Sequence, residues 1–245
     1  MPFVNLATPP RVYRWLDRAS AVMFAPHCAL CGAPGQSGLD LCADCEAALP
    51  GNPIACPLCA LPLRQPAPRC GECLQHTPPF AAAIAPFRYA DPIDRLLTRF
   101  KFGGDLAAGQ VLAALLTARC DGFARSVDQL LPMPLHRSRL RERGFNQAFE
   151  LARALAIHSG VTARADLLLR VRPTAPQTGL DARARRRNVR GAFVVPPSRR
   201  PAIAGRRLLL IDDVITTGAS VREASVALLR AGAAAVHILA VARAG

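Results

Sequence analysis

The sequence has almost no lysine, few aromatic side chains and no long apolar stretch. Lys101 is the single lysine among 31 basic residues, and Phe, Trp and Tyr make up only 5% of the 245 residues. Because base stacking requires aromatic rings, this composition gives no support to a protein that binds nucleic acid mainly through stacking. No apolar run approaches the ~20 residues that a membrane-spanning helix needs. The sequence therefore predicts a protein without a transmembrane segment.

The first 24 residues also lack the continuous apolar core of a secretory signal peptide. Arg11, Arg14, Asp17 and Arg18 interrupt the apolar positions there, in the pattern of an amphipathic helix over residues 10–24. We therefore expect an N-terminal helix within residues 1–26 and a cytoplasmic location. The formal net charge of +14 favours polyanionic partners.

Cysteine, by contrast, is abundant and regularly spaced. Eight of the nine cysteines form two copies of one repeat, Cys-x2-Cys, ten residues, Cys-x2-Cys, and the copies are offset by 28 residues at every cysteine. Each Cys-x2-Cys turn brings two sulfurs to one metal ion, and two turns complete a tetrahedral site. The first repeat contains Cys28, Cys31, Cys42 and Cys45, and the second contains Cys56, Cys59, Cys70 and Cys73. The spacing predicts two structural Zn²⁺ sites.

Other arrangements of these eight cysteines are compatible with the spacing. A disulfide framework is the main alternative, but it belongs to oxidising compartments, and the sequence shows no secretion signal. Pairing of consecutive Cys-x2-Cys turns is the simplest ligand set, and an interleaved set would use the same residues. The segment 27–76 is too short to fold well without metal. We therefore expect a double zinc ribbon over residues 27–76, which chelation unfolds while much of the remaining chain stays folded.

From residue 80 onward, strand and helix patterns alternate. The predicted strands cover residues 81–89, 127–133, 167–171, 191–195, 208–211 and 235–242, and the predicted helices cover residues 91–102, 105–119, 146–158 and 220–231. Such alternation is typical of an α/β domain with a parallel sheet and helices on both faces. It predicts a second domain over residues 80–245.

The most informative part of that domain is residues 208–220. An apolar strand ends in two adjacent acids, and a short loop of small and hydroxyl residues leads into a helix. Loop N–H groups, hydroxyls and a helix N-terminus suit a phosphate, and the acids suit the hydroxyls of a ribose. The candidate binding residues are Asp212, Asp213, Val214, Thr216, Thr217, Gly218, Ala219 and Ser220. A buried strand ending in a turn with two solvated acids is the alternative interpretation.

This segment, Ile-Asp-Asp-Val-Ile-Thr-Thr-Gly, resembles the signature of type I phosphoribosyltransferases, which bind 5-phosphoribosyl 1-pyrophosphate (PRPP). The resemblance implies that PRPP enters with Mg²⁺, its 5′-phosphate on residues 216–220 and its ribose hydroxyls on Asp212 and Asp213. It also makes these two acids the candidate catalytic residues. They and the metal would stabilise the cationic sugar of the transition state.

Two arginine-rich segments follow predicted strands. The first has four arginines in seven positions on the same sheet edge as the acids, where they would match the charge of the leaving pyrophosphate. They are Arg137, Arg139, Arg141 and Arg143. A solvated helix start has the same pattern. The second segment, residues 170–193, is interpreted as a flap over PRPP that includes Gln177 and Arg187. A surface that follows a nucleic-acid backbone is the alternative.

Four motifs in order resemble the ComF/GntX family across nearly the whole chain. They are the tandem cysteine repeats, Pro-Leu-x5-Arg-Glu-Arg-Gly-Phe-Asn-Gln, the segment from Gln177 to Arg187-Asn188-Val189, and Ile-Asp-Asp-Val-Ile-Thr-Thr-Gly. The resemblance implies a double zinc ribbon joined to a type I phosphoribosyltransferase-like domain. It also implies a role in the uptake or use of external DNA, as in natural transformation.

Three functions are compatible with these motifs. The first is a PRPP-binding phosphoribosyltransferase whose acceptor the motifs do not define. The second is a non-catalytic module that binds single-stranded DNA and keeps an inherited PRPP pocket. The third is a docking module for proteins of a DNA-uptake machinery. The acid pair and the phosphate loop favour binding of PRPP or another sugar phosphate, and they leave turnover open.

Overall fold

A computed structural model of the chain describes residues 26–173 and 189–245. The helix predicted over residues 10–24 lies outside these ranges. The chain forms two compact units, Met1–Ala47 and Ala48–Gly245. The division falls between the two cysteine repeats, so the second repeat belongs to the same unit as the α/β fold.

The first unit, described over residues 26–47, folds tightly around its cysteines. Gly32 N donates to Cys28 O at 2.9 Å, and Cys28 N donates to Ala33 O at 2.7 Å, which closes the first Cys-x2-Cys turn. Helix α1 (Ala43–Ala47) begins between the cysteines of the second turn.

The second repeat has the same local structure inside the large unit. Ala60 N donates to Cys56 O at 2.8 Å, and Cys56 N donates to Leu61 O at 2.8 Å, as at the equivalent positions of the first repeat. Cys70 caps helix α2 (Gly71–Gln75), because its Sγ accepts the N–H of Cys73. The four cysteines of this repeat lie in a hydrophobic core that also contains residues of the sheet.

A five-stranded parallel sheet forms the centre of the large unit. Its strands are β1 (Ala82–Ile84), β2 (Phe87–Arg88), β3 (Gln129–Pro132), β6 (Arg207–Ile215) and β7 (Ala235–Arg243), in the order β1-β7-β6-β3 with β2 also paired to β7. β4 (Leu169–Arg170) and β5 (Phe193–Val194) form a separate antiparallel pair. Pro132 pairs with Ile211, and Ile215 pairs with Arg243. The carboxyl ends of β3, β6 and β7 therefore lie on one edge of the sheet.

Helices pack on both faces of this sheet. They are α3 (Ile93–Phe102), α4 (Leu106–Ala124), α5 (Arg137–Arg143), α6 (Gln147–Ser159) and α7 (Ala219–Arg230), with a 3₁₀ helix at Pro197–Ala202. Leu208 of β6 shares a core with Val221 of α7. Alternate strand residues face opposite ways, so Leu209 points to the other face, where α6 packs on β3 and β6 and α4 packs on α6. The predicted α/β fold with a parallel sheet is thus confirmed.

Two predicted strands need correction. The strand over residues 81–89 is two short strands, because Pro86 between them has no N–H to donate to a β-ladder. The strand over residues 208–211 is longer than predicted and runs through both acids, because β7 pairs with β6 as far as Ile215. The helix predicted from residue 91 begins at Ile93.

Within residues 26–173 and 189–245, no helix is both long enough and apolar enough to cross a bilayer.

Candidate functional site

A cleft of about 670 Å³ opens at the carboxyl edge of the sheet, beside the ends of β3 and β6. Parallel α/β sheets commonly bind ligands at this edge. Seven of the eight predicted sugar-phosphate residues line the cleft, and Thr217 is the exception among them. The predicted set is therefore brought together by the fold, although its role in binding stays a prediction.

The two acids have different surroundings although they are adjacent in β6. Asp213 is 8% exposed, and its Oδ2 forms an ion pair with Lys101 Nζ at 2.9 Å. Burial and the neighbouring Asp213 raise the pKa of Asp212 to about 7, a rise that Lys101 limits. Burial lowers the pKa of Lys101, but the Asp213 carboxylate outweighs it and holds that pKa above its usual value. The cleft floor thus combines a buried ion pair with a carboxyl group that titrates near neutral pH.

The predicted phosphate loop, residues 216–220, contains the connection between β6 and α7 and the first two residues of α7. Gly218 has φ 74°, a left-handed conformation that a side chain would strain, and α7 begins at the next residue. Thr217 Oγ1 accepts a hydrogen bond from Ala219 N at 3.4 Å, so this hydroxyl serves the loop itself. The N-terminal end of α7 adds a partial positive charge beside the cleft.

The first arginine segment is a helix, α5, and only one of its faces reaches the cleft. Arg139 and Arg143 line the cleft, whereas Arg137 lines a neighbouring groove and Arg141 is exposed. The split follows from helical spacing, since side chains four residues apart share a face. Asn146 fixes the following helix, because its Nδ2 donates to Met133 O at 3.1 Å and its Oδ1 accepts from Ala148 N at 3.0 Å.

The cleft also contains residues that the predicted site did not include, among them Lys101 and Phe102, together with Arg170, the first residue of the segment predicted as a flap. The Arg143 guanidinium carbon lies 5.3 Å from the centre of the Phe102 ring. Burial lowers the pKa of Arg170, and the nearby positive charges of Arg139 and Arg143 lower it further while Asp212 opposes them. Three guanidinium groups close to one another favour a ligand with more than one negative charge. The sequence signal for Lys101 was that it is the single lysine of the chain.

The two remaining predicted flap residues, Gln177 and Arg187, lie outside the residues that the structure describes.

The eight cysteines form two separate clusters, each from one repeat, so consecutive pairing is confirmed over the interleaved set. In each cluster the four Sγ atoms lie within 4.8 Å of one another. The Cys31–Cys42 and Cys59–Cys70 sulfur distances are 3.7 and 3.5 Å. A tetrahedron with Zn–S bonds of about 2.3 Å has edges of about 3.8 Å, whereas a disulfide bond is about 2.05 Å long. Both donor sets therefore fit Zn²⁺.

At least one thiol in each cluster resists ionisation. Burial and the Cys59 and Cys70 thiols raise the pKa of Cys73, and hydrogen bonding with Cys42 and Cys31 raises the pKa of Cys45. A divalent cation at the centre would remove this obstacle to ionisation, since it binds the thiolate form.

Similarity to known families covers both parts of the chain. A double zinc ribbon domain matches residues 19–74, and a phosphoribosyl transferase domain matches residues 142–245.

Curated relatives match over most of the chain. DNA utilization protein YhgH of Salmonella typhimurium is 35% identical over 217 residues, 86% of this chain and 94% of the relative. Competence protein F of Haemophilus influenzae is 32% identical over 209 residues, 83% of this chain and 90% of the relative. Competence protein ComFC of Bacillus subtilis is 29% identical, and the match spans 61% of this chain and 58% of the relative.

Among solved structures, a glutamine PRPP amidotransferase of B. subtilis, complexed with ADP and GMP, is 16% identical. The match covers 59% of this chain and 30% of that one with a TM-score of 0.38, a likeness too weak to add to the assignment.

Proposed function

Because the chain belongs to the ComF/GntX family, whose relatives bear the names of DNA utilization and competence proteins, we propose that it binds Mg²⁺-PRPP in the cytoplasm and works in the uptake or use of external DNA. The observation that carries the binding proposal is the convergence on one cleft of three segments that are distant in the sequence. They are β6 with the phosphate loop that follows it, α5, and β4, and each contributes acids, loop residues or arginines to the cleft.

In this proposal each part of PRPP meets a matching part of the cleft. The 5′-phosphate binds the phosphate loop at the N-terminus of α7. The ribose hydroxyls donate to the carboxylates of Asp212 and Asp213. The pyrophosphate faces Arg139, Arg143 and Arg170, which supply positive charge from two separate elements.

The catalytic form of the proposal is transfer of the phosphoribosyl group to a nitrogen nucleophile. A bond forms between that nitrogen and C1 of the ribose while the bond from C1 to the pyrophosphate oxygen breaks, and its electron pair leaves with pyrophosphate. The nucleophile releases its proton to water or to a nearby base. Positive charge develops on the sugar, where the carboxylates of Asp212 and Asp213 stabilise it. No side chain acts as a nucleophile.

Asp213 is an unfavourable direct ligand for Mg²⁺, because Lys101 Nζ already lies 2.9 Å from its Oδ2. We therefore propose that Asp212, and not Asp213, would be the carboxylate available to Mg²⁺ that enters with PRPP. The ion would supply charge neutralisation to the leaving pyrophosphate.

The first test is a calorimetric titration with Mg²⁺-PRPP of the parent and of the double variant Asp212→Asn, Asp213→Asn. We expect the double variant to lose binding by at least about 100-fold, or about 2.7 kcal/mol. The variant should keep two zinc ions and a parent-like circular dichroism spectrum. Asp91→Asn, at a side chain that is 72% exposed, is the matched control. Equal affinity of the double variant and the parent would show that the cleft is wrongly assigned.

The arginine helix offers an internal control for the pyrophosphate position. Arg143→Ala should weaken binding of Mg²⁺-PRPP by about tenfold, because a charge-assisted contact is lost. Arg141→Ala removes the same charge from the exposed side of the same helix and should leave the affinity within about twofold. If the two variants weaken binding equally, the effect is one of net charge and not of cleft contacts.

A groove beside the cleft favours single-stranded DNA as a second candidate ligand. It measures about 760 Å³, is lined mainly by apolar residues, and contains Leu140 and Phe149, which are 42% and 37% exposed. Arg137 stands at the same groove. Base contact with Phe149 and phosphate contact with Arg137 is the combination that single-stranded DNA requires.

Salt-titrated DNA binding tests this second candidate. Arg137→Ala should flatten the slope of log K against log salt by about 0.7, the value for one neutralised phosphate of a single strand. The same substitution should leave the affinity for Mg²⁺-PRPP unchanged. An unchanged salt slope would remove this groove from consideration as a DNA site. The segment 170–193, predicted as a flap or as a DNA surface, contains five further arginines, at 183, 185, 186, 187 and 190, and the first four of these lie outside the described residues.

A further inference from the structure

One buried side chain joins the second cysteine cluster to the phosphate loop. Arg243, the last residue of β7, is 4% exposed. Its Nε donates to Cys59 O at 3.2 Å, and its Nη1 donates to Ile215 O at 3.2 Å. Nη1 also donates to the carbonyl oxygens of Thr216 and Ala244. Cys59 is a member of the cluster, and Thr216 is the first residue of the loop. A single guanidinium group therefore donates hydrogen bonds to the backbone of the cluster and to the backbone of the loop.

A second connection runs through the helix that follows the loop. Arg222, in the first turn of α7, lies 3.7 Å from the Glu72 carboxylate and donates to His76 O at 3.4 Å. Its guanidinium carbon lies 6.0 Å from the centre of the Phe80 ring. Glu72 belongs to α2, between the third and fourth cysteines of the cluster. Helix α7, which begins within the phosphate loop, therefore also contacts the segment that carries the second cluster.

Arg243 contacts the loop, and Arg222 lies in the helix that follows it, both outside the cleft. Among the residues that the structure describes around the cleft, neither Arg243 nor Arg222 lines its wall. A buried guanidinium group is costly to leave unpaired, so Arg243 keeps its position only while its carbonyl partners keep theirs. The position of the Cys59 backbone depends in turn on the metal, because a site of four cysteine ligands forms its geometry on metal binding.

We propose that Arg243 is a positioning residue through which metal at the second cluster sets the phosphate loop and raises its affinity for a sugar phosphate. The inference rests on the proposed binding of PRPP and gives the second metal ion a role beyond folding its ribbon. Coupling between two sites is reciprocal, so ligand in the cleft also tightens the hold of the cluster on its metal.

The direct test compares Arg243→Leu and Arg243→Lys with the parent by calorimetric titration with Mg²⁺-PRPP, using full-length chains that carry two zinc ions. Arg243→Leu loses every bond to the four carbonyls, and we expect its affinity to fall by at least about tenfold. Arg243→Lys keeps a cationic donor that reaches part of this set, and it should recover part of the loss. Arg125→Leu, which removes an exposed arginine paired with Asp121 at 2.7 Å, is the matched control and should bind as the parent does.

Cobalt spectroscopy provides a readout that a general loss of stability would not change. In the protein with Co²⁺ in place of Zn²⁺, saturation with PRPP should shift the visible absorption bands of the cobalt, because the loop and the Cys59 backbone share Arg243. Cys31→Ser, which disables one ligand of the first cluster, should keep this shift. Arg243→Lys should reduce it.

The possible results separate this inference from the proposed function. A parent that does not bind PRPP overturns the proposed function and this inference with it. A parent that binds PRPP, beside a folded two-zinc Arg243→Leu of equal affinity, overturns the positioning role alone. If Arg243→Leu does not fold, the PRPP affinity of Arg243→Lys and the cobalt shift test the positioning role in its place. A cobalt spectrum of the parent that PRPP leaves unchanged contradicts the coupling.

Discussion

The two cysteine clusters have the same spacing in the sequence and different surroundings in the structure. In the first, Cys28 is buried, Cys42 and Cys45 are partly buried, and Cys31 is exposed. In the second, all four cysteines are buried and share a hydrophobic core with the sheet and α7. The same donor set therefore lies in a small unit in one case and in the interior of the large unit in the other.

This difference changes what metal removal is expected to do. From the sequence alone, chelation should unfold residues 27–76 and leave much of the remaining chain folded. The structure places residues 48–76 in the large unit, where the second cluster packs against the sheet. Loss of the second metal ion should therefore destabilise the α/β fold as well, because four buried sulfur ligands in its core would lose the ion that holds them together.

The largest expected contrast comes from serine substitutions at equivalent positions of the two repeats. Cys73 is 0% exposed, and Cys73→Ser should lower the free energy of unfolding of the large unit by about 4 kcal/mol, because an incomplete metal site is left buried. Cys45→Ser, its counterpart 28 residues earlier, should leave that unit nearly unchanged. Hydrogen exchange of β6 and β7, followed by mass spectrometry, measures the two effects.

Each serine variant should also retain one zinc ion, which elemental analysis checks. Equal loss of protection in β6 and β7 for the two variants would erase the contrast between the clusters. A Cys73→Ser protein that loses one zinc ion and keeps the full hydrogen-exchange protection of β6 and β7 would also contradict this contrast.

Asp212 should make the free energy of unfolding of the large unit depend on pH, with a smaller effect than the serine substitutions. Its pKa is raised to about 7 by burial and by Asp213, so the folded state favours the protonated form. In the unfolded chain an aspartate has a pKa of about 3.9, so the folded parent should lose stability as the pH rises from about 4 to 7. Because the side chain of Asp212→Asn cannot ionise, the variant should not lose stability in this way as the pH rises.

At pH 8 we expect Asp212→Asn to be more stable than the parent by about 2 kcal/mol, and at pH 4 we expect the two to be equal. Urea unfolding at a series of pH values measures the difference. Asp91→Asn is again the control, since its side chain is 72% exposed. A gain that is constant across the pH range would show that it comes from packing and not from the charge of Asp212.

The smallest expected effect concerns the residue directly after the first Cys-x2-Cys turn of each repeat. Gly32 has φ 78° with no atom within 4 Å of an added Cβ, so Gly32→Ala should cost only backbone strain, about 1 kcal/mol. Ala60, the equivalent residue of the second repeat, already has φ 58° and is 1% exposed. Ala60→Gly relieves that strain but removes a buried methyl group, and these opposing effects of about 1 kcal/mol should nearly cancel.

Chelator titration of each cluster tests this pair of substitutions. A Gly32→Ala protein that holds its metal as tightly as the parent would show that the left-handed turn is not under strain at this position.

Local patterns in the sequence predicted the parts of the structure that depend on local contacts. The cysteine spacing predicted two four-sulfur sites, and the strand–acid–loop–helix order of residues 208–220 predicted residues that line one cleft. The alternation of elements predicted the parallel sheet, because the connection between two adjacent parallel strands usually contains a helix.

Contacts between distant segments were not predictable in this way. Lys101 meets Asp213 across 112 positions of the sequence, and no spacing rule joins them. The unequal burial of the two clusters was also invisible, because their ligand spacings are identical. Strand β6 was predicted to stop before the acids, since aspartate is depleted in strands, but pairing with β7 overrides that preference.

The continuation of β6 through its acids has a thermodynamic consequence for any ligand of the cleft. Asp212 pairs with Ala240 and Val214 pairs with Ala242 in the β-ladder, so the backbone around both acids is ordered before a ligand arrives. Ligand binding then loses no main-chain freedom at these positions, and the entropic cost of association falls mainly on ligand and side chains. In the proposed function, the acids are therefore held in place before the ligand binds, and the flexible sugar must adapt its conformation to them.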